Sequence, residues 1–500
     1  MLRPFTQVTI QQVPNGSTQL LSLRNSKFVI DFISEGEGES TWEKHTDSFT
    51  LKFPKNINLF SSPDGIFVNN GTNNLILSGT GTPNSPNIDA SGNLNTSAPL
   101  IMKGDIIIIN YGYIARNSKD QDFYISTGGV VPLGFSQNDL SSLQSISTKQ
   151  NLFFGYVRDI KSNTPIEISC EDNFYLLKRT PFDTNIWNKT TAGNSGTSLY
   201  GLLQHILDLV NGNFNSKNNL FPFLDLLNIP SSITAQFSLG YLDIGDLTCG
   251  QVLDKLKQQY KFESTFKGNT LLFGFPIYVD VGSGSNIQEQ FLPNSKNFFS
   301  FRDIYGSNNQ LLVSANILNS HDLEYSSKDD IILSATVQCA VINPTGKTTK
   351  SGLTATKKSK LKAYIYWDIP TQTFKSRDIS NGITPEKDIG GEGERHEFFY
   401  PVDKTKPNPT INDLIQLGIK QLEKYHYTGF RGCFTTFGFP FVQWNDNVNI
   451  LDTIYSDRNG QYKVKKVKYK LGFHGLSQEI HLDYKIDVPL STNNQQIYLM

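Results

Sequence analysis

Apolar and polar residues alternate along much of this chain with the two-residue period of half-buried strands. "FVIDFI" (28–33) and "SFTLKF" (48–53) predict two early strands. "FFGYVRDI" and "PIEISCED" predict two more, around a turn at Ser162-Asn163-Thr164. "KGDIIIINYGY" (103–113) breaks the alternation, because Ile106 to Ile109 are consecutive. The run is too short for a membrane span, which needs about 20 apolar residues. It is also too β-branched for a natural helix. It predicts a strand covered on both faces.

The period changes near residue 182. "SLYGLLQHILDLVNG" puts Leu199, Leu202, Leu203, Ile206, Leu209 and Val210 on one helical face, with Ser198 as a start cap and Gly212 at the end. A second helix starts at Thr248, with Gln251 completing a capping box and Val252, Leu253 and Leu256 on its apolar side. "KFESTFKGNTLLFGF" predicts a hairpin turning at Gly268-Asn269. Strands return at 331–342 and 360–367, separated by a Lys/Thr/Ser loop, 344–359. Thr410 caps a third helix, 411–427, with Asp413 in its first turn and Ile411, Leu414, Ile415 and Leu422 as its apolar stripe. Residues 57–98 are rich in Gly, Asn, Ser, Thr and Pro, and read as an exposed insertion carrying a small hairpin.

One phrase occurs twice. "KGDIIIINYGY … FFGYVRDIKSNTPIEISC" aligns with "WNDNVNILDTIY … GQYKVKKVKYKLGFHGLSQEIHLDY". Asp105 matches Asp446, each opening an apolar strand, and Tyr156 matches Tyr462. With one inserted residue, Val157 and Ile160 match Val464 and Val467, and "IEIS" (166–169) matches "QEIHL" (478–482). A period this long is not a solenoid. It points to two copies of one β-unit flanking the helical segment.

Composition narrows the function classes. A chain of 500 residues accommodates two to four domains. A formal net charge of −1 argues against a dedicated nucleic-acid binder. Aromatics make up 12% of the chain, which favours strands. The N-terminus lacks an apolar signal core, so synthesis in a cytoplasm and a soluble chain without stable membrane insertion are expected. Cys170, Cys249, Cys339 and Cys433 form no CxxC and read as reduced thiols, mostly buried.

Catalytic candidates are weak. Glu35, Glu37 and Glu39 in "EGEGES", and Glu392, Glu394 and Glu397 in "GEGERHE", sit in Gly-rich runs without an apolar pocket to raise a pKa. They read as solvated loops. His396 beside Glu392 and Glu394 lacks a second His or Cys for a metal site. Cys433, with His426 or His474 as a base, reads as a strand thiol rather than a nucleophile. "GNSGTS" (193–198) has no strand directly before it to build an anion site. "KVKKVKYK" (463–470) reads as a strand with one solvated or contact face.

At "KGDIIIINYGY", "FFGYVRDIKSNTPIEISCEDNFYLLKRTP", "DLTCGQVLDKLKQQYKFESTFKGNTLLFGF" and the closing "GCFTTFGFPFVQWNDNVNILDTIYSDRNGQYKVKKVKYKLGFHGLSQEIHLDYKI", the chain resembles a family of injection-machine proteins. These are the baseplate hub proteins of tailed phages and the hub part of type VI secretion spike proteins. The resemblance implies a mainly β chain with α+β character: two related tube-like β-barrel domains, 1–181 and 286–490, a small α/β domain, 182–285, and a C-terminal tail, 491–500. Helix 411–427 would pack outside the second barrel. It further implies a homotrimer whose six barrels make a pseudo-hexameric ring between the hexameric tail tube and the trimeric central spike. Tube and spike proteins would be its partners, with tape-measure and other baseplate proteins as further neighbours. Phage DNA would pass through the lumen without specific binding. No enzymatic activity, cofactor or metal is expected, and the location would be the baseplate of the virion tail, after synthesis in the bacterial host. The chain stops soon after "HLDYKIDVPL", so the spike is expected as a separate polypeptide. The alternative is a host-receptor or glycan-binding β protein at the tail tip. A cell-wall hydrolase comes third.

Overall fold

The four isoleucines divide between two cores. In the strand Ile106–Arg116, Ile107 and Ile109 are fully buried inside a long sheet, among Val8, Ile10, Phe153 and Val157. Ile106 and Ile108 turn the other way, toward Tyr156, Phe174 and the helical segment. The strand is covered on both faces, and the second cover is helical.

The computed structural model describes residues 2–14, 27–30, 33–41, 46–53, 59–62, 65–68, 78–80, 99–116, 122–124, 150–161, 165–183, 186–187, 199–214, 220–226, 242–243, 246–260, 263–274, 297–305, 311–313, 315–348, 354–382, 394–400, 409–438, 440–444, 446–455, 458–472 and 475–486. The fold is mainly β with a small helical component. A 16-stranded sheet runs through both halves of the chain. Its path starts with Ile317–Asn319, Gly429–Phe437, Gly475–Ile486 and Gly460–Gly472 from the second half. It continues with Glu35–Thr41, Ser48–Lys52, Glu167–Glu171, Gln150–Lys161, Ile106–Arg116, Leu2–Gln11, Lys27–Ile30 and Ser78–Thr80 from the first. The halves are therefore paired edge to edge, which the sequence pattern did not indicate.

Helices Leu199–Phe214 and Cys249–Tyr260 cover the helical side, with a small sheet of Asp225–Leu226, Thr270–Gly274 and Glu263–Lys267. The Thr248 box forms as read: its amide donates to Gln251 Oε1 at 2.9 Å, and the Gln251 amide donates to Thr248 Oγ1 at 3.3 Å. The hairpin turns at Gly268-Asn269, and Gly268 has a φ of +60°, where glycine is unstrained. Gly212 lies inside its helix rather than at its end. Asn211 holds the last turn by donating to Leu224 O at 2.8 Å and accepting the Leu224 amide at 2.9 Å. A short helix, Phe174–Arg179, was not read from the sequence, and its residues Phe174 to Leu177 are all buried.

In the second half, Thr373–Asp378, Thr354–Asp368, Leu333–Thr348 and Glu394–Phe399 make a separate four-stranded sheet. Leu333–Thr348 and Thr354–Asp368 pair from Ser334↔Tyr366 to Thr348↔Thr354. Much of the expected loop 344–359 is therefore hairpin, because alternating Thr and Lys continue a ladder that the buried pairs Val337↔Ala363 and Ala335↔Ile365 have already registered. Helix Ile411–Tyr425 begins with a capping box, the Thr410 amide donating to Asp413 Oδ2 at 2.7 Å. It packs on the four-stranded sheet, where Gly418 lets it come close: a Cβ there would sit 2.5 Å from Ile365 Cδ1 and 2.8 Å from Val337 Cγ2. Its Tyr425 also meets Tyr484 of Gly475–Ile486 edge to face at 5.9 Å.

Within the insertion 57–98, Leu59–Ser62 pairs with Gly65–Val68, and Ser78–Thr80 joins the sheet edge beside Lys27–Ile30. The expected turn at 162–164, the Ser198 cap and the run 193–198 lie outside the described residues. Among the described residues, no helix is long and apolar enough to cross a membrane.

Candidate functional site: the seam between the two halves

The repeated phrase builds the same local geometry twice. The Asp105 carboxylate accepts the Met102 amide at 2.7 Å, and the Asp105 amide donates back to Met102 O at 3.2 Å. Asp446 does the same with Gln443, at 2.8 and 3.2 Å. The Val157 amide then donates to Asp105 O, and the Val464 amide to Asp446 O, each at 2.9 Å. The inserted residue before Val464 falls at a register shift in Gly460–Gly472, so a bulge absorbs it. Tyr156 and Tyr462 are both fully buried. Tyr156 donates to Asn173 Oδ1 at 3.2 Å, and Asn173 in turn donates to Gly268 O at 2.8 Å, tying the sheet to the small α/β unit. Tyr462 instead accepts the Phe430 amide at 2.9 Å.

The two halves meet where the acidic run lies against the basic run. Glu35–Thr41 pairs antiparallel with Gly460–Gly472, setting Glu39 opposite Lys468 and Glu37 opposite Lys470. "EGEGES" is thus a strand and not the solvated loop its composition suggested. Its glycines face inward. A Cβ on Gly38 would lie 2.3 Å from Phe49 Cδ2, and one on Gly36 would lie 2.9 Å from Phe49 Cε1. The Phe49 ring therefore covers the space the glycines leave, as aromatic residues do over strand glycines. On the opposite face Glu39 meets Lys466 at 3.2 Å and Glu35 meets Lys52 at 3.0 Å. The same face continues with Lys161–Glu167 at 2.5 Å, Arg158–Glu171 at 3.0 Å and Lys178–Glu171 at 3.0 Å. Lys178 reaches Glu171 from the helix Phe174–Arg179; the cross-strand pairs contribute roughly 0.2–1 kcal/mol each, so they set register more than stability.

A cavity of about 180 Å³ lies where the first half, the small unit and the second half meet. Ser40, Asp47 and Asp172 line it from the first, Phe266 and Gly268 from the second, and Trp444 from the third. Burial raises the Asp172 carboxyl to about 7. Burial, and then the Asp172 charge, hold Asp47 well above its ordinary value. The pair closes the turn beside the seam: Asp47 accepts the Ser40 hydroxyl at 2.9 Å and the Thr41 amide at 3.2 Å, and Asp172 accepts the Thr46 hydroxyl at 2.9 Å.

The remaining sequence candidates scatter. Glu394 pairs with Arg431 at 3.2 Å and stays 3.6 Å from His396, whose ring stacks on Tyr425 at 3.9 Å. Glu392 lies outside the described residues. His426 packs against Trp367 with ring centroids 4.0 Å apart and planes tilted by 44°, and His474 lies outside the described residues. Burial, then Glu479 and Asp322, push the Cys433 thiol up, away from nucleophile chemistry. Among the described residues no nucleophile–base pair forms from these candidates. Sequence reading missed the pairing of the two charge runs. The signal was their opposite sign, "EGEGES" against "KVKKVKYK".

No protein-family model and no curated protein matches this chain. Solved structures similar to it include phage tail proteins and a VgrG complex. One is the 43 kDa tail protein of prophage MuSo2 from Shewanella oneidensis, with a TM-score of 0.41 and 10% identity, covering 96% of this chain and 98% of that one. A tail protein from Neisseria meningitidis MC58 has a TM-score of 0.41 and 11% identity, covering 97% of both chains. The Francisella PdpA-VgrG complex has a TM-score of 0.41 and 10% identity, covering 98% of this chain and 59% of that one.

Proposed function

We propose that this chain is a non-enzymatic hub of a phage tail or related injection machine, forming a trimeric ring that joins the tail tube to the central spike. The observation that carries this reading is the duplicated Asp turn. Met102/Asp105/Val157 and Gln443/Asp446/Val464 make the same three backbone connections in two halves of one sheet. Two equivalent β-units per chain make six in a trimer, which suits a junction between a six-fold tube and a three-fold spike. A ring also suits heterologous contacts that close by rotation. The paired charges on the outer face of the seam support a role beside passing DNA without specific binding, because lysines already neutralised by carboxylates release few phosphate counterions.

A glycan-binding role at the tail tip is less well supported. Trp367 and Trp444 are buried, and neither offers an open stacking face for a sugar. The test is the solution mass of the purified chain by light scattering, followed by imaging. A trimer with a central opening and six lobes is the expected result. A chain that stays monomeric alone and with its spike protein would sink the hub reading.

A further inference from the structure

We propose that Cys433, Glu479 and His481 bind a divalent transition-metal ion, with zinc the best match. The inference is independent of the hub reading. Cys433 lies on Gly429–Phe437, directly opposite His481 on Gly475–Ile486. Glu479 precedes His481 by two positions, so a strand presents both on the same face. The three ligand atoms lie within 4.8 Å of one another, and His481 Nε2 is 2.8 Å from Glu479 Oε1. Ligands around a tetrahedral zinc stand about 3.5 Å apart, so side-chain rotation alone closes the set. Asp322 is at hand for a fourth position. Its Oδ2 is 4.0 Å from Cys433 Sγ, and its carbonyl accepts the Cys433 amide at 3.0 Å.

The donor chemistry selects the ion. One thiolate, one imidazole and one carboxylate suit zinc far better than magnesium or calcium, which take oxygen ligands. Cys433 is half-buried, whereas Cys170, Cys249 and Cys339 are enclosed in the cores. Glu479 now holds Lys468 at 2.5 Å. A bound cation would displace that ammonium, and Lys468 has another carboxylate opposite it, Glu39 of the seam strand. Metal binding would therefore hand Lys468 to the seam.

The test uses the full chain, stripped with a chelator and titrated with cobalt(II) and then with zinc. Expected are one zinc per chain and, for cobalt, a near-ultraviolet thiolate charge-transfer band with visible ligand-field bands of tetrahedral intensity. Cys433→Ser should abolish the charge-transfer band. His481→Gln should weaken zinc binding roughly tenfold or more. Lys468→Met, which removes the competing cation, should tighten it. A parent chain that takes up cobalt without a thiolate band, or takes up no metal, would overturn the proposal without relying on any variant. Zinc content unchanged in Cys433→Ser would overturn it as well.

Discussion

Asp105 and Asp446 close the same turn in the two halves, each accepting the amide three residues before it, at 2.7 and 2.8 Å. Both carboxylates are buried, at 1% and 7% exposure, and Asp105 also accepts the buried Val13 amide at 3.0 Å. An alanine at either position should cost about 1–3 kcal/mol for each amide left without its acceptor. Thermal unfolding of Asp105→Ala and Asp446→Ala checks this. Wild-type melting in both would show that the turns do not anchor their strands.

Gly38→Ala forces a methyl group onto the Phe49 ring, 2.3 Å from Cδ2. The expected loss is about 1–3 kcal/mol, the usual range for overpacking. Adding Phe49→Leu to Gly38→Ala should recover part of it, giving a measurable coupling in a double-mutant cycle. Strictly additive losses would mean that the ring and the glycine do not share the space.

Charge reversal tests the seam. Glu39→Lys places a cation beside Lys466 and opposite Lys468, and Lys466→Glu does the reverse to Glu39. Each single change should destabilise by up to about 1 kcal/mol, and the exchanged pair should regain most of it. The effect should shrink in high salt because the pair is partly open to solvent. Equal melting temperatures for all four proteins would remove any electrostatic part in joining the halves.

The cavity carboxyl makes stability depend on pH. Burial raises Asp172 to about 7, whereas an unfolded chain has it near 3.9. Between those values the folded protein holds more protons than the unfolded chain. Stability therefore falls as pH rises from about 4 to about 7 and is level outside that window, as far as this group is concerned. Asp172→Asn removes the titration. The melting temperature of the variant relative to the parent should climb between about pH 4 and pH 7. A difference that stays constant across that range would show that folding does not raise the carboxyl above its unfolded value.

Local chemistry was legible in the sequence. The Thr410 cap and the Thr248 capping box need only near neighbours, and both form. The Asp105/Asp446 and Tyr156/Tyr462 matches came from one chain compared with itself, and their backbone bonds agree. The isoleucine run showed that its strand is covered twice, since β-branched residues in succession have no face for water.

Tertiary structure decided whatever depends on partners distant in the chain. "EGEGES" read as a loop because Gly and Glu are poor strand formers by themselves. It becomes a strand because Phe49 fills the glycine space and Lys466, Lys468 and Lys470 line up beside its acids. Helix Ile411–Tyr425 shows an apolar stripe in sequence, but the stripe does not say which sheet receives it, and Gly418 meets Ile365 and Val337 only once the chain has folded. Cys433, Glu479 and His481 look unrelated along the chain, and only the register of two neighbouring strands brings them together. Sequence determines which strands and caps can form, since those depend on near neighbours. Folding decides which edges and faces meet, because that choice rests on contacts between residues far apart in the chain.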